Sequence, residues 1–404
     1  MIKSKLQASS GVLPLIALLA FLSAVSLDLN FSFLSFKPGN ILILLLAAIF
    51  FLFQVYSGRD NGLILKVGVS DLPLLLFVVL IFLSSYWSPS KVNSILQGVL
   101  YISIYIIAQT TSRVPLYELL RVLFYIGFYL SVASLMMYFI NPSVALQPSP
   151  SGDIPELRGV FHHQLRLGLF AGVLFGLLVI SVVNKDWIYI FRSKAELLSI
   201  SVVLFLVLLF SFARLYGFFS LLAILLAVLI PSRSVIRLML LMLVFLLVFY
   251  FVYNWNNIAV FLQGYGFDTT LTGRSTIWLK SLELASERPI LGWGYPSFEM
   301  PVLDFMWNNY RPAHPHNSFI QAYFELGVIG FSIACALVCC NYLEVIGLKI
   351  RAFTTKTPYS LYLFLMMFFC SLVGANYASK PSFLLILFMI VLYSERTKVV
   401  RVNI

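Results

Sequence analysis

Long apolar segments alternate with short polar connections along almost the whole chain. Apolar runs of roughly 17 to 25 residues, enough to cross a hydrocarbon core of about 30 Å as helices, recur from Gly11 to Ser394. In lipid, runs of this length satisfy their backbone hydrogen bonds only as helices. The pattern predicts an all-α polytopic membrane protein, one domain over residues 1–404. Its twelve spans lie near 11–27, 40–57, 72–88, 96–111, 119–140, 167–183, 197–213, 215–231, 238–254, 317–342, 359–376 and 382–394.

Composition supports the membrane interpretation and gives an orientation. The chain is 61% hydrophobic and 11% charged, with a mean hydropathy of +0.96, and a soluble fold cannot hide that much apolar surface. If both termini are cytoplasmic, 17 of the 27 Lys and Arg residues fall on the inner side, as the positive-inside rule requires. Topology therefore explains most of the net charge of +11, and we expect no nucleic-acid partner.

Two connections are much longer than the others, and both are predicted to face outward. The first loop runs from Asn141 to Arg166 and the longer loop from Asn254 to Asn317, between the ninth and tenth helices, whereas nearly every other connection is about 15 residues or shorter. Long loops on a rigid scaffold commonly carry function. The longer loop contains one helical pattern that stops at Pro289, which predicts an amphipathic helix on the membrane surface or capping the bundle. Its apolar face comprises Ile277, Trp278, Ser281, Leu282 and Ala285.

All four histidines, His162, His163, His314 and His316, fall in these two loops. Two pairs on one side of the membrane indicate a site, although histidines are also simply tolerated in aqueous loops. His314 and His316 have the spacing to present two nitrogens to a metal. Because no cysteine or paired carboxylate accompanies them, we favour a site without metal.

Three arginines have the chemistry of a phosphate site. Arg214 interrupts an otherwise apolar stretch from Leu197 to Ile230, and an arginine at such a position is a functional candidate. Alternatively, it only marks a turn and snorkels to the interface. Arg274 and Arg288 offer fork-shaped donors that match phosphate oxygens. With Arg214, they are candidates to grip a pyrophosphate.

Three segments, GRSTIW, ERPILGWGYPSFE and HPHNSFIQAYFELGVIGF, follow one another in this order. Together they resemble the O-antigen ligase and O-antigen polymerase (Wzy-like) superfamily. Its pattern is an outward Arg, a large loop opening with Gly-Arg and Trp, a Gly-x-Gly turn, and His-x-His-Asn entering a helix with Glu-Leu-Gly. The matching residues are Arg214, Gly273, Arg274, Trp278, Gly292, Gly294, His314, His316, Asn317, Glu325, Leu326, Gly327 and Gly330.

The first loop resembles a second motif, found in exopolysaccharide polymerases of this superfamily, of the form Arg-Gly-x-Phe-x-His-Lys-Asn-x-x-Gly. Here the segment reads RGVFHHQLRLG, from Arg158 to Gly168. It departs from the motif around His163 and Gln164, where Lys and Asn are usual, so Arg166 is expected to supply the charge. This likeness favours a polymerase over a ligase.

The resemblance implies a GT-C-like glycosyltransferase that uses an undecaprenyl-pyrophosphate-linked sugar and needs neither metal nor another cofactor. It also implies direct displacement with inversion. We expect His316 to take the proton of the acceptor hydroxyl, and Arg214 and Arg274 to stabilise the departing pyrophosphate. Expected to contact substrate are Arg288, His314, His162, His163, Arg158 and Arg166.

Several alternatives remain open at this point. A polymerase would use another lipid-linked repeat as acceptor, and a ligase would use lipid A-core oligosaccharide. A lipid-linked glycan transporter is the rival from another class, but the spans lack paired midplane charges and matching halves with broken helices. A carboxylate is free to orient the histidine base, and the sequence does not choose among Asp153, Glu156, Glu299, Asp304 and Glu325.

Overall fold

A computed structural model describes residues 12–26, 29, 38–57, 67–148, 155–230, 274–299, 312, 314–352, 356–374 and 381–402. The predicted span at 238–254 and much of the longer loop lie outside these residues. The helices are α1 Val12–Ser26, α2 Pro38–Ser57, α3 Leu72–Ser84, α4 Lys91–Thr111, α5 Leu116–Ile140, α6 Gln164–Val183, α7 Lys194–Phe210, α8 Arg214–Leu229, α9 Arg274–Ser286, α10 Ser318–Ala352, α11 Tyr359–Leu372 and α12 Phe383–Val402. Short helical turns lie at Val69–Asp71, Pro142–Ala145, Trp187–Ile190 and Ser297–Glu299.

The predicted helical architecture is confirmed in its main features. Each of the eleven predicted spans within the described residues overlaps a helix. Four helices are both long and apolar enough to cross a membrane, namely α4, α5, α6 and the part of α10 from Ser318 to Ile350. The described residues also include five shorter apolar helices. The structure therefore supports a helical membrane protein, and the total of twelve spans stays a prediction.

The centre of the bundle is formed by α6, α11 and α12. These helices contact one another and bury most of their side chains, including Phe170, Tyr362 and Phe383. Aromatic rings pack between them, with the Phe170 and Phe383 centroids 5.2 Å apart. Lipid is as apolar as these side chains, so close packing and interhelical hydrogen bonds hold such helices together. The Tyr362 hydroxyl provides one such bond by donating to the carbonyl of Gly172, 3.1 Å away.

The first loop departs from the all-α expectation because it folds into a short hairpin. Strand β1, Leu146–Gln147, pairs antiparallel with strand β2, Glu156–Leu157. The backbone N–H groups of Arg158 and Gly159 both donate to the carbonyl of Ala145. These bonds hold the loop close to the end of α5, and the chain then continues into α6.

The helix predicted in the longer loop is α9, and it ends before Pro289 as expected. It packs against α10, as the predicted position capping the bundle requires. Its buried residues are Ser281, Leu284 and Ala285, whereas Leu282 is 42% exposed. The predicted face was therefore wrong at Leu282, because the aromatic cluster that contains Phe298 and Phe324 covers Leu284 instead.

The Gly-x-Gly turn and the Glu-Leu-Gly segment form one backbone contact. Helix α10 is interrupted at Gly327, which has a φ of 65° and a ψ of −162°. The N–H of Gly294 donates to the carbonyl of Glu325 at 2.7 Å, and the N–H of Val328 donates to the carbonyl of Pro289 at 2.8 Å. A Cβ at Gly327 would lie 2.1 Å from the Ile290 oxygen. Only glycine permits this approach, so the two motifs together fix the longer loop on α10.

An ionic network joins three helices at the opposite end of the bundle. The guanidinium of Arg396 in α12 contacts both oxygens of Asp71, at 3.1 and 3.0 Å, and both oxygens of Glu344 in α10, at 2.5 and 2.8 Å. The hydroxyls of Tyr105 and Tyr393 also donate to Asp71. Asp71 is 3% exposed, so its charge depends on these partners.

Arg396→Met is therefore expected to destabilise the protein strongly. It leaves two carboxylates beside each other with no cation, and removal of one partner of a buried pair typically costs about 3–5 kcal/mol. Thermal unfolding in detergent micelles would measure the loss. Lys398→Met is the matched control, because Lys398 is exposed on the same helix. Equal losses in the two variants would show that the network does not stabilise the fold.

Candidate functional site

The two loops lie at the same end of the bundle, opposite the Arg396 network. The GWGY turn contacts the last turn of α3, where the Tyr295 N–H donates to the Ser84 hydroxyl at 3.3 Å. The indole N–H of Trp87 donates to the carbonyl of Leu291 at 3.1 Å. Asp71 lies at the other end of the same helix. The longer loop and the network therefore occupy opposite ends of the molecule.

Arg166 and His314 bring the two loops together. Burial, together with the electrostatic fields of His316, Arg166 and Arg274, lowers the pKa of His314 from 6.5 to about 3. Arg166 belongs to the first loop, and the other residues belong to the longer one. Arg166 also lowers the pKa of His163. It is thus the residue that the two histidine pairs share.

His314 and His316 form a tight turn at the entrance to α10. The N–H of His316 donates to Nδ1 of His314 at 3.2 Å, and the two ring centroids are 4.1 Å apart. The backbone φ of His316 is 52°, a left-handed conformation that is uncommon for a non-glycine residue and is enriched at functional sites. Asn317 then caps α10, because its Oδ1 accepts from the N–H groups of Phe319 and Ile320. The His-x-His-Asn segment therefore forms a hydrogen-bonded turn that ends in the N-cap of α10.

The two imidazoles differ in what they offer a substrate. Burial, followed by the field of Arg274, lowers the pKa of His316 from 6.5 to about 4, so both rings are neutral at neutral pH. Nδ1 of His314 is occupied by the turn. Within the described part of the chain, no protein group is hydrogen-bonded to either ring nitrogen of His316. His316 is the ring free to accept a proton, although its pKa lies well below the near-neutral value expected from sequence.

Arg274 is the first residue of α9 and is half-buried. Its Nε is buried and has no hydrogen-bond partner, and burial lowers its pKa. A guanidinium nonetheless keeps its charge in proteins. A buried guanidinium N–H without a partner is unfavourable by itself, and an anionic ligand would satisfy it.

Arg214 begins α8 at a sharp turn on the same end of the bundle. Phe212 in this turn has a φ of 48°, and Arg214 is exposed. A Cβ at Gly168 would lie 2.0 Å from Cβ of Ala213, so the last glycine of the first-loop motif allows the turn to sit on α6. Tyr216, one residue beyond Leu215, acts electrostatically on Arg274. Arg214 thus begins the helix whose first turn borders Arg274.

His163 and Arg158 have structural partners in the first loop. Nδ1 of His163 accepts from the N–H of Leu165 at 3.2 Å and caps α6, while Nε2 lies 3.0 Å from Nε2 of Gln147. Burial lowers the pKa of His163. Nε of Arg158 donates to the carbonyl of Val144 at 2.8 Å. A role in substrate binding stays a prediction for both residues and for His162, which is exposed.

Arg288 is not brought together with Arg274. Arg274 begins α9 and Arg288 follows the end of α9 by two residues, and a 13-residue helix is roughly 20 Å long. The Arg288 guanidinium carbon lies 4.1 Å from the centroid of the Trp293 ring, a cation–π contact on the GWGY turn. The structure therefore does not bring Arg288 beside Arg274, and binding of a pyrophosphate by Arg274 and Arg214 stays a prediction.

No described carboxylate is hydrogen-bonded to His316. Oε1 of Glu325 accepts from the N–H of Phe298 and from the side chain of Gln321. Glu156 lies in β2, and Asp153, Asp304 and the Glu299 side chain lie outside the described residues. Among the residues that the structure does describe, no three His, Cys, Asp or Glu side chains gather as a metal site. The sequence analysis did not single out two residues that border the candidate site: Tyr216, which acts electrostatically on Arg274, and Gln147, which contacts His163. Only Tyr216 could have been suspected from sequence, because it lies two residues after Arg214.

Part of the chain is similar in sequence to known proteins. Residues 197–335 match the family model described as O-antigen ligase, a region that contains Arg214, Arg274, His314 and His316. The predicted resemblance to the O-antigen ligase and polymerase superfamily is confirmed over this region. The chain is also 32% identical over 81 residues to the exopolysaccharide production protein ExoQ of Rhizobium meliloti (strain 1021). That match covers 18% of this chain and 19% of the relative, and the first-loop motif lies outside the family match.

Proposed function

We propose that this protein is a membrane glycosyltransferase that polymerises undecaprenyl-pyrophosphate-linked oligosaccharide repeats of a surface polysaccharide. It acts at the periplasmic face of the bacterial inner membrane and needs no metal. The observation that carries the proposal is a neutral imidazole, His316, within the field of a half-buried arginine, Arg274, whose Nε lacks a partner. One group is suited to accept a proton and the other to bind an anion.

The reaction is a direct displacement at the anomeric carbon of the donor. The acceptor hydroxyl forms the new C–O bond, the C–O bond to the pyrophosphate breaks, and its electron pair stays on the pyrophosphate oxygen. The hydroxyl proton passes to His316. Negative charge grows on the leaving group, where preplaced arginine side chains stabilise it. Arg274 and Arg214 supply the compensating positive charge, and attack opposite the leaving group inverts the configuration.

Donor binding makes His316 a stronger base. In the empty site, burial and Arg274 hold the pKa of His316 at about 4, too low for an efficient base at neutral pH. A bound pyrophosphate offsets the field of Arg274 and favours the protonated imidazole, which raises the pKa. Proton transfer is thereby coupled to the presence of the donor.

A polymerase is favoured over the alternatives for two reasons. The relative's name refers to exopolysaccharide production, and Gly168 of the polymerase-like first-loop motif packs directly on the Arg214 turn. The family description names a ligase, so transfer to lipid A-core is the first alternative. Transport of the lipid-linked glycan is the second, and it would require no proton acceptor.

Reconstitution tests the proposal. The purified protein would be placed in liposomes with an undecaprenyl-pyrophosphate-linked repeat, with or without lipid A-core, and the products separated by length. We expect a ladder of longer lipid-linked glycans, unchanged by chelator. Product only with lipid A-core would establish the ligase, and movement of the intact donor across the bilayer without new linkages would establish the transporter.

The topology has its own test. Alkaline phosphatase, which is active only in the periplasm, would be fused within residues 254–273 and, as a control, after the last residue of the chain. Activity is expected at the first position and not at the second, because the arginine and lysine distribution places the termini inside. The reverse pattern would place the histidines and arginines in the cytoplasm and overturn the proposal.

Trp278→Phe is expected to slow turnover about 2- to 10-fold and to lower stability only by the loss of one hydrogen bond. The indole N–H of Trp278 donates to the carbonyl of Pro315 at 2.7 Å, so it ties the helix of Arg274 to the His314–His316 turn. Phenylalanine keeps the packing but loses one hydrogen bond, worth about 0.5–1.5 kcal/mol. Rates of chain growth and thermal unfolding would both be measured.

The matched control is Trp293→Phe. Its indole N–H donates to the carbonyl of Leu284 at 2.9 Å, within the longer loop and with no link to the histidine turn. We expect it to lower stability by a similar amount and to leave turnover nearer to the wild-type value. The same loss of turnover in both variants would mean that Trp278 only stabilises the loop.

A further inference from the structure

A buried carboxyl group lies two turns into α10, away from the histidines and arginines of the site. Glu325 is 0% exposed. Its Oε1 accepts from the Phe298 N–H at 3.2 Å and from Nε2 of Gln321 at 3.3 Å. Its Oε2 is buried without a partner, and no cation forms a salt bridge with Glu325 in the described part of the chain. The nearby titratable groups are the phenols of Tyr101 and Tyr295, which add no positive charge.

A second unpartnered oxygen belongs to the same contact. Gln321 is 0% exposed, and while its Nε2 donates to Glu325, its Oε1 is buried with no partner. Both side chains end in a planar group with two polar atoms, and one atom of each is already paired with the other group. The two remaining atoms are both oxygens, so neither can donate to the other if the carboxyl group is ionised.

We propose that Glu325 carries its proton in the native protein and forms a cyclic acid–amide pair with Gln321. The hydroxyl at Oε2 donates to Oε1 of Gln321, and Nε2 of Gln321 donates to Oε1 of Glu325. One proton thus satisfies both orphan oxygens and removes an unpaired buried charge, which is the most expensive state for such a group. The contact with Phe298 is kept, because Oε1 has two lone pairs.

The neutral pair makes Glu325 a positioning residue. Through Phe298 it holds the segment after the GWGY turn against α10, two residues before the break at Gly327. Its neutrality also matters for the site. An ionised carboxylate in the first turns of α10 would add a negative charge to the end of the bundle where an anionic donor would bind, whereas the protonated acid adds none. This inference does not depend on which glycan is transferred.

Infrared difference spectroscopy tests the protonation state. We expect the spectrum of the wild-type protein minus that of Glu325→Gln to contain the C=O stretch of a protonated carboxylic acid at neutral pH. Ionised carboxylate bands in its place would overturn the proposal and would instead indicate a bound cation or an acid that acts as a base. The measurement needs no substrate, so its outcome does not depend on whether the proposed glycosyl transfer is correct.

Three variants test the pairing through thermal unfolding. Glu325→Gln can make the same two hydrogen bonds, and we expect it to unfold near the wild-type temperature. Glu325→Leu leaves the Gln321 amide and the Phe298 N–H unpaired, and a fall of roughly 3 to 6 °C is expected. Exchanging the groups in the double variant Gln321→Glu, Glu325→Gln should restore the wild-type value. A fall in Glu325→Gln as large as in Glu325→Leu would overturn the proposal.

Discussion

Replacement of Arg274 by alanine is expected to reduce turnover by about 10²- to 10³-fold, the usual effect of removing one preorganised donor from a developing negative charge. Arg274 is held at the start of α9 with a buried, unpartnered Nε, so it is poised for an anion before substrate arrives. Arg274→Lys should recover only part of the rate, because an ammonium lacks the planar fork that matches a pyrophosphate. Initial rates of chain growth with lipid-linked repeat would be compared.

The control for this prediction is Lys280→Ala. Lys280 lies on the same helix and pairs with Glu283 at 2.9 Å on the surface, where such a pair contributes little. The Lys280→Ala substitution removes one positive charge from α9, as Arg274→Ala does, but the charge lies outside the site. Near wild-type turnover is therefore expected. Full activity of Arg274→Ala, or an equal loss in Lys280→Ala, would remove Arg274 from the pyrophosphate site.

The helices were predictable because the relevant signal is local. Apolar runs of membrane-crossing length have only one way to satisfy their backbone in lipid, and the described helices follow them closely. Errors occurred where tertiary contacts decide the outcome. Leu282 has helical spacing but faces outward, since the cluster around Phe298 and Phe324 selects Leu284. The break at Gly327 depends on a partner more than 30 residues earlier in the chain, Pro289 to Gly294.

The candidate site was predictable in its residue types and not in their arrangement. Sequence places histidines and arginines in two loops, but only the fold shows that Arg166 links them and that α9 separates Arg288 from Arg274. The sequence predicts that His163 contacts substrate, whereas in the structure its Nδ1 caps α6. The low pKa of His316 could not be predicted from the sequence either, because burial is a property of the folded chain.

His316→Ala is expected to be folded, to bind the donor and to be about 10²- to 10⁴-fold slower, the range for loss of a general base. His314→Ala should lose less, since Nδ1 of His314 already accepts from the turn, although the turn itself would loosen. Turnover and donor affinity would be measured separately, with and without chelator. Normal chain growth in His316→Ala would assign the base to another group, and loss of activity on chelation with recovery on adding zinc would replace the proton-accepting role by a metal site.

The pH profile gives the sharper form of this prediction. His316 must be neutral to take a proton, so kcat/KM, which reports the free enzyme, should fall only as pH drops through about 4, the pKa of the ring in the empty site. The fall in kcat should occur at higher pH, because bound pyrophosphate offsets Arg274 and raises the pKa. In Arg274→Gln, one of the two causes of the low pKa is gone, so the acidic limb of the residual kcat/KM should move up toward 6.5, the ordinary value. An acidic limb that stays in place in this variant would show that Arg274 does not control the protonation of the base.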